Sequence, residues 1–131
     1  MPAGHRLAGR DTIRIRDLSG ERVVLPKAQS GVRQLLDTAF LRRSIEPDVI
    51  LESDSFEFMQ NFLHFEPALF FQIPIAINAG RAVGGADAAD FDERLVSRPV
   101  DMADVGAGTL HICHLKGRVL PVAAEKFLDD I

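Results

Sequence analysis

The stretch from Pro47 to Pro74, PDVILESDSFEFMQNFLHFEPALFFQIP, constrains the fold more than any other part of the chain. Val49-Ile50-Leu51 is a short apolar run with β-branched residues after a Pro-Asp breaker, the pattern of a buried strand. Ser53 and Asp54 are suitable N-caps for a helix that follows at once, and Glu57 stands three residues after Asp54, as a reciprocal cap requires. Phe58, Phe62 and Phe65 recur at helical spacing, with Met59 and Leu63 widening the stripe, so the spacing predicts a helix that buries one broad face. Pro67 stops it. Leu69 to Ile73 is a second apolar run and predicts another buried strand. Strand, helix and strand with short joints predict a right-handed βαβ unit whose two strands are parallel neighbours. That arrangement puts loop 26–31 and loop 52–55 on one rim of an α/β fold.

Composition bounds the rest. A chain of 131 residues with 47% apolar content suits one domain with one core. The net charge is −4 and the fifteen Lys and Arg are scattered, so no basic stripe is offered to nucleic acid. The single cysteine, Cys113, excludes an internal disulfide and fits a reducing compartment. No apolar run approaches the roughly 20 residues of a membrane span, and the N-terminus has no signal-peptide core. The expectation is a cytoplasmic protein that does not meet a membrane.

Met1 to Arg10, rich in Gly, Ala and Arg without period, reads as an arm or linker, with order beginning after it. Thr12 to Arg16 alternates apolar and charged residues as a strand does, and Leu18 to Glu21 turns the chain into a strand Arg22–Leu25 stopped by Pro26. Val32, Leu35, Leu36, Ala39 and Phe40 then give the clearest helical stripe, capped by Ser30 and closed by Ser44 to Pro47. Ala79 to Glu93, with three glycines and several acids, reads as a surface loop; Gly80 to Gly85 lacks the Lys-Ser/Thr of a phosphate loop. Leu95 to Val100 reads as extended, Gly106 to Gly108 as a breaker, Thr109 to Leu115 as a strand and Leu120 to Ile131 as a last helix with Pro121 in its first turn.

In an open parallel sheet, ligands sit beyond the carboxyl ends of the strands. The loops that qualify are Pro26 to Gly31, Glu52 to Ser55 and Gln72 to Ala76. Two of them begin helices, where free N–H groups and the dipole favour an anion. Asp54 and Glu57 already place negative charge on the second, whereas the first has Lys27, Gln29, Ser30 and Gly31 with no acid before Asp37. The expected ligand-binding residues are therefore Lys27, Gln29, Ser30, Gly31, Ser53 and Gln72, with an anionic group at Ser30 and Gly31. The competing reading is that Ser30 only caps its helix and Lys27 is solvated. His111, Cys113 and His114 do not converge on a strand, so strand packing is expected there and no metal site. No nucleophile lies beside an evident base, so neither a catalytic residue nor a cofactor is expected.

The order of the pieces resembles the effector-binding region of LysR-type transcriptional regulators, built like the type 2 periplasmic binding proteins. It is carried by His5-Arg6-Leu7-Ala8, Asp17-Leu18-Ser19-Gly20-Glu21, Val24-Leu25-Pro26, the helix after Ser30, Ile45-Glu46-Pro47, Glu52 to Phe58, Gln72-Ile73-Pro74, Leu115 to Pro121, Ala123-Ala124 and Phe127-Leu128. The resemblance implies a three-layer, Rossmann-like effector-binding subdomain II over residues 11–108, and a strand and helix, 109–131, that return to a subdomain I absent here. It implies a fragment that binds a small effector and forms a homo-oligomer, its DNA contacts made by a helix-turn-helix domain that this chain lacks. One departure stands out: the family often has Gly-x-Gly where this chain reads Pro67-Ala68-Leu69, and proline cannot take the positive φ of glycine. The alternative function is a free-standing solute-binding or dimerisation module unrelated to transcription.

Overall fold

The computed structural model describes residues 1–73, 94–109, 111 and 113–130. Its frame is a parallel three-stranded sheet of order β2-β1-β3, with β1 spanning Arg22–Leu25, β2 Asp48–Glu52 and β3 Leu69–Phe70. Helices α1 (Gly31–Arg43) and α2 (Phe56–Phe62) make the two crossovers. The two strands of the Pro47–Pro74 stretch are parallel but not adjacent, because β1 lies between them and pairs with both. Central placement follows from sequence. Val23, Val24 and Leu25 are apolar on both faces and fully buried, whereas β2 keeps Val49 41% exposed at the edge.

Alternation along β1 sorts the core into two layers. Val23 and Leu25 pack with Leu36, Ala39 and Phe40 of α1 and with Leu7, Ile13, Ile15 and Leu18 before the sheet. Val24 packs with Met59, Leu63 and Ala68 on the side of α2. The sheet is thus covered on both faces, as a doubly wound parallel sheet must be.

The expected N-terminal arm is instead part of the core. Leu7 has no exposed surface and Ala8 is 6% exposed, and Pro2 bridges Leu95 in antiparallel fashion. Two apolar residues among polar ones have no period, yet they are enough to pin a short segment. The alternation at Thr12 to Arg16 also misled: Ile13 makes an isolated parallel bridge to Val100, and Ile15–Leu18 is a 3-10 turn. Asp17 supports that turn by accepting the Arg14 N–H at 3.0 Å.

α2 is shorter than expected and presents a different face. Ser55, not Ser53 or Asp54, is its N-cap, its Oγ accepting the Phe58 N–H at 3.2 Å. Met59 and Leu63 are buried, while Phe58 is 52% and Phe65 83% exposed. The helix ends at Phe62, five residues before Pro67, through turns to Phe65 and Glu66.

Among the described residues, two further helices follow: α3, Met102–Val105, capped by the Asp101 side chain, and α4, Val122–Asp129, with Pro121 at its N-cap position. Gly106 ends α3 at φ 79°, a conformation that glycine alone adopts freely. The described residues between Thr109 and Leu115 form no strand, and His111, Cys113 and His114 are exposed, so the expected strand packing does not hold for them. No residue of α4 is buried. The loop expected over Ala79 to Glu93, the Pro74 to Ala76 part of the third rim loop, and Ile131 lie outside the described residues.

Candidate functional site

The carboxyl ends of all three strands open on one rim. Two hydrogen bonds hold it: the Ser53 N–H donates to the Leu25 carbonyl at 3.1 Å, and the Lys27 N–H to the Asp54 side chain at Oδ1, 3.3 Å. A third tie comes from Arg33. Its guanidinium donates to the Pro26 carbonyl at 3.0 Å, to Asp37 at 2.8 Å, and to Glu52 at the end of β2. The bonds to Glu52 and then to Asp37 hold the Arg33 pKa above its ordinary value. One side chain therefore fastens the β1–α1 loop to the neighbouring strand. The legible signal was Arg33 and Asp37 at i, i+4.

Crossover α1 lies on one face and α2 on the other, and β3 flanks β1 on the side away from β2. The strand order thus reverses between β1 and β3, and a crevice opens there, the place where open parallel sheets bind ligands. A small cleft of about 180 Å³ between Pro26, Ser30, Phe56, Phe70 and Gln72 marks it. It adjoins a groove of about 920 Å³ that runs along α1 toward α3.

Ser30, Gly31 and Gln72 are brought together, all three lining that groove. Ser30 is the N-cap of α1 by backbone position, but its hydroxyl makes no capping hydrogen bond. The Gln34 N–H is already taken by the Ser30 carbonyl, so the earlier N–H groups of the first turn, with no acid among them, point out of the helix end. Opposite, the Gln72 Oε1 is buried and has no hydrogen-bond partner. An amide oxygen without a partner in a cleft calls for a hydrogen-bond donor to complete it. The Met1 ammonium also lines the groove; burial holds its pKa below the ordinary 8.0, and it donates to the Val96 carbonyl at 3.1 Å.

The other expected site residues are elsewhere. Lys27 and Gln29 are exposed on the outer side of the loop, and the Lys27 ammonium lies 3.8 Å from Asp54. Ser53 uses its hydroxyl locally, accepting the Ser55 N–H at 3.1 Å. Among the described residues no three His, Cys, Asp or Glu are grouped to hold a metal ion, and no helix is long and apolar enough to cross a membrane.

Comparison with known proteins places this geometry. The LysR substrate binding domain matches residues 1–64. Over 127 residues the chain is 26% identical to the uncharacterized HTH-type transcriptional regulator YybE of Bacillus subtilis, covering 97% of this chain and 39% of that protein. The regulatory domain of CcmR from Synechocystis PCC6803, solved in complex with 2-PG, superposes with a TM-score of 0.66 at 21% identity, covering 99% of this chain and 58% of the other. The chain thus spans well under two thirds of either relative. The first half of the chain is thus similar to the LysR substrate binding domain, and the fold is that of the CcmR regulatory domain.

Proposed function

We propose that this chain is the effector-sensing part of a DNA-binding transcriptional regulator and that its effector is a small anion held at the start of α1. The observation that carries this reading is the meeting of an unused cap hydroxyl and a helix first turn without acids at one crevice, whose other wall carries Asp54 and Gln72. The N–H groups of Gly31 and Val32 and the Ser30 hydroxyl supply donors to an anion, and the helix dipole favours its charge. Gln72 would serve the anion through its Nε2–H donors, while its Oε1 would accept from a donor elsewhere on the ligand. The 2-PG bound by the CcmR regulatory domain supports an anion, and the similarity to YybE, an HTH-type transcriptional regulator, supports transcription.

Sensing then becomes regulation through population shift: an effector that fits one arrangement of subdomains better than another favours it by that difference in affinity. DNA contacts belong to residues outside this chain, the setting is the cytoplasm, and the role is binding without catalysis. Residues 11–108 act as the second effector-binding subdomain, with 109–131 reaching toward the first. Assembly into a homo-oligomer is part of the proposal, because Leu41 on α1 is 82% exposed and Val122 and Phe127 on α4 are 79% and 63% exposed.

Calorimetric titration with 2-PG and simple carboxylates tests the reading. Saturable binding that weakens about tenfold in Ser30→Ala, the size of one lost charge-assisted hydrogen bond, is expected. Binding that Ser30→Ala leaves unchanged would move the site away from α1.

A further inference from the structure

Both nitrogens of the His5 ring are engaged. Nδ1 accepts the Leu7 N–H at 3.2 Å, and Nε2 lies 3.0 Å from Glu21 Oε2. A backbone amide can only donate, so Nδ1 is bare, and the proton of the neutral ring sits on Nε2, where it donates to Glu21. The side chain is 14% exposed, which leaves the ring little water to turn to, and Leu7 is fully buried in the core. The charged groups around the ring have partners of their own. Glu21 accepts the Arg6 Nε–H at 2.6 Å through its other carboxylate oxygen, so its charge is already shared. The Asp17 carbonyl also accepts from Arg6, and the Asp17 carboxylate lies 3.5 Å from Arg10. Asp48 and Arg94 reach the same place through their backbones: the Asp48 N–H donates to the Glu21 carbonyl at 2.9 Å, and the Arg94 carbonyl accepts from the Ala3 N–H at 2.6 Å.

We propose that His5 is a proton-operated latch on the N-terminal segment. A second proton enters the ring at Nδ1, where it meets the Leu7 N–H: two donors then face one another, and the bond to Leu7 is lost. The charged ring keeps its Nε2–H on Glu21, so the change falls on the Leu7 side. It does not end there. The same segment bridges Pro2 to Leu95, the Val96 N–H donates to the Met1 carbonyl at 2.8 Å, and Met1 and Val96 line the large groove. Acid therefore loosens the Met1–Val96 wall of the groove, a regulation that holds whether or not an anion docks on α1. Imidazole is the side chain whose charge ordinarily changes between pH 5 and 8, which sets the range to search.

The test is NMR of the whole chain at pH 8 and pH 5, reading the His5 ring nitrogens and the hydrogen exchange of the Leu7 amide against that of Leu36 in α1. At pH 8 the Nε2–H tautomer is expected. At pH 5 a doubly protonated ring is expected, with the Leu7 amide about tenfold less protected relative to Leu36, the size of one hydrogen bond. In His5→Asn the side-chain oxygen takes the place of Nδ1 and does not titrate, so Leu7 should stay protected at both pH values. Glu21→Gln keeps an acceptor for Nε2–H without a titrating group, and there the response to pH should persist. The Nδ1–H tautomer at pH 8, a ring still neutral at pH 5, or a charged ring with Leu7 protection unchanged would each overturn the latch. So would a response that survives in His5→Asn or vanishes in Glu21→Gln.

Discussion

The Asp104 carboxylate meets the Arg43 guanidinium at 2.7 Å, tying α3 to the last turn of α1 across a separation of 61 residues. Its second oxygen accepts the Ile15 N–H at 3.1 Å, so one side chain joins three segments that are remote in sequence. Asp104 is 6% exposed, the one buried charged residue among those described. The Ile15 N–H, and then the positive charges of Arg43 and Arg14, hold its pKa below the ordinary 3.8 against the opposing effect of burial.

A depressed carboxylate pKa contributes stability that is present above the unfolded value and lost as pH falls through the folded one. The native fold should therefore lose part of its stability as pH drops below about 3.8. Asp104→Asn is expected to lower Tm at pH 7 and to flatten that acid limb, since the mutant has no proton to take up at this position. Thermal unfolding at pH 7 and pH 3 checks both; an unchanged Tm at pH 7 would remove Asp104 from the account.

Arg33 is expected to matter for the rim through geometry. Arg33→Ala removes the bonds to Pro26, Asp37 and Glu52, and because Asp37 and Glu52 are half-exposed the cost is about 1–2 kcal/mol. Arg33→Lys should recover little of it, since an ammonium cannot reach several acceptors with the guanidinium's fixed fork. Urea unfolding of both variants supplies the comparison, and full rescue by lysine would show that charge alone is at work.

Ser44 is the described non-glycine residue with positive φ, 51°, at the C-cap of α1. Its N–H closes the helix on Leu41 and Phe40, a position where glycine is usual. Ser44→Gly is expected to raise stability by about 0.5–1 kcal/mol by relieving that conformation. Chemical denaturation measures it, and a loss of stability would mean that the serine side chain has a role there.

The two faces of α2 should respond oppositely to truncation. Met59→Ala opens a cavity beneath β1 and is expected to cost about 2–4 kcal/mol, whereas Phe65→Ser, at an 83% exposed position, should change stability by less than about 0.5 kcal/mol. A large cost for Phe65 would restore the phenylalanine stripe as the packed face.

That contrast marks what could be read from the residues. The parallel α/β frame, β1, α1 and the shared rim were legible because apolar runs, breakers and caps give each element its own local signal. The face of α2 was not: both the 58, 62, 65 series and the 56, 59, 63 series are apolar at helical spacing, and tertiary packing chose the second. Strand adjacency was hidden for a similar reason, since connectivity fixes which strands follow one another and not which lies in the middle. The uninterrupted apolar run Val23-Val24-Leu25, between Arg22 and Pro26, was the clue to a central β1. Of the site, Ser30, Gly31 and Gln72 came together, but nothing local distinguished Lys27, whose partner Asp54 is 27 residues away. Leu7 and Asp104 were invisible, because a lone apolar or acidic residue acquires meaning only from distant neighbours.

Assembly can be read by sedimentation. The wild-type chain is expected to self-associate at micromolar concentration, and the double variant Val122→Asp with Phe127→Asp, at positions 79% and 63% exposed, to sediment as a monomer without loss of Tm. A monomeric wild type would contradict the proposed oligomer.

The central claim is that an anion docks on the first turn of α1, and amide chemical shifts report it residue by residue. On titration of the ¹⁵N-labelled chain with hexanoate, the largest shifts are expected at Gly31 and Val32, with the Gln72 side-chain amide moving alongside and Ser53 to Ser55 unmoved. Shifts centred on Ser53 to Ser55, or none in the α1 turn at saturating ligand, would contradict the account.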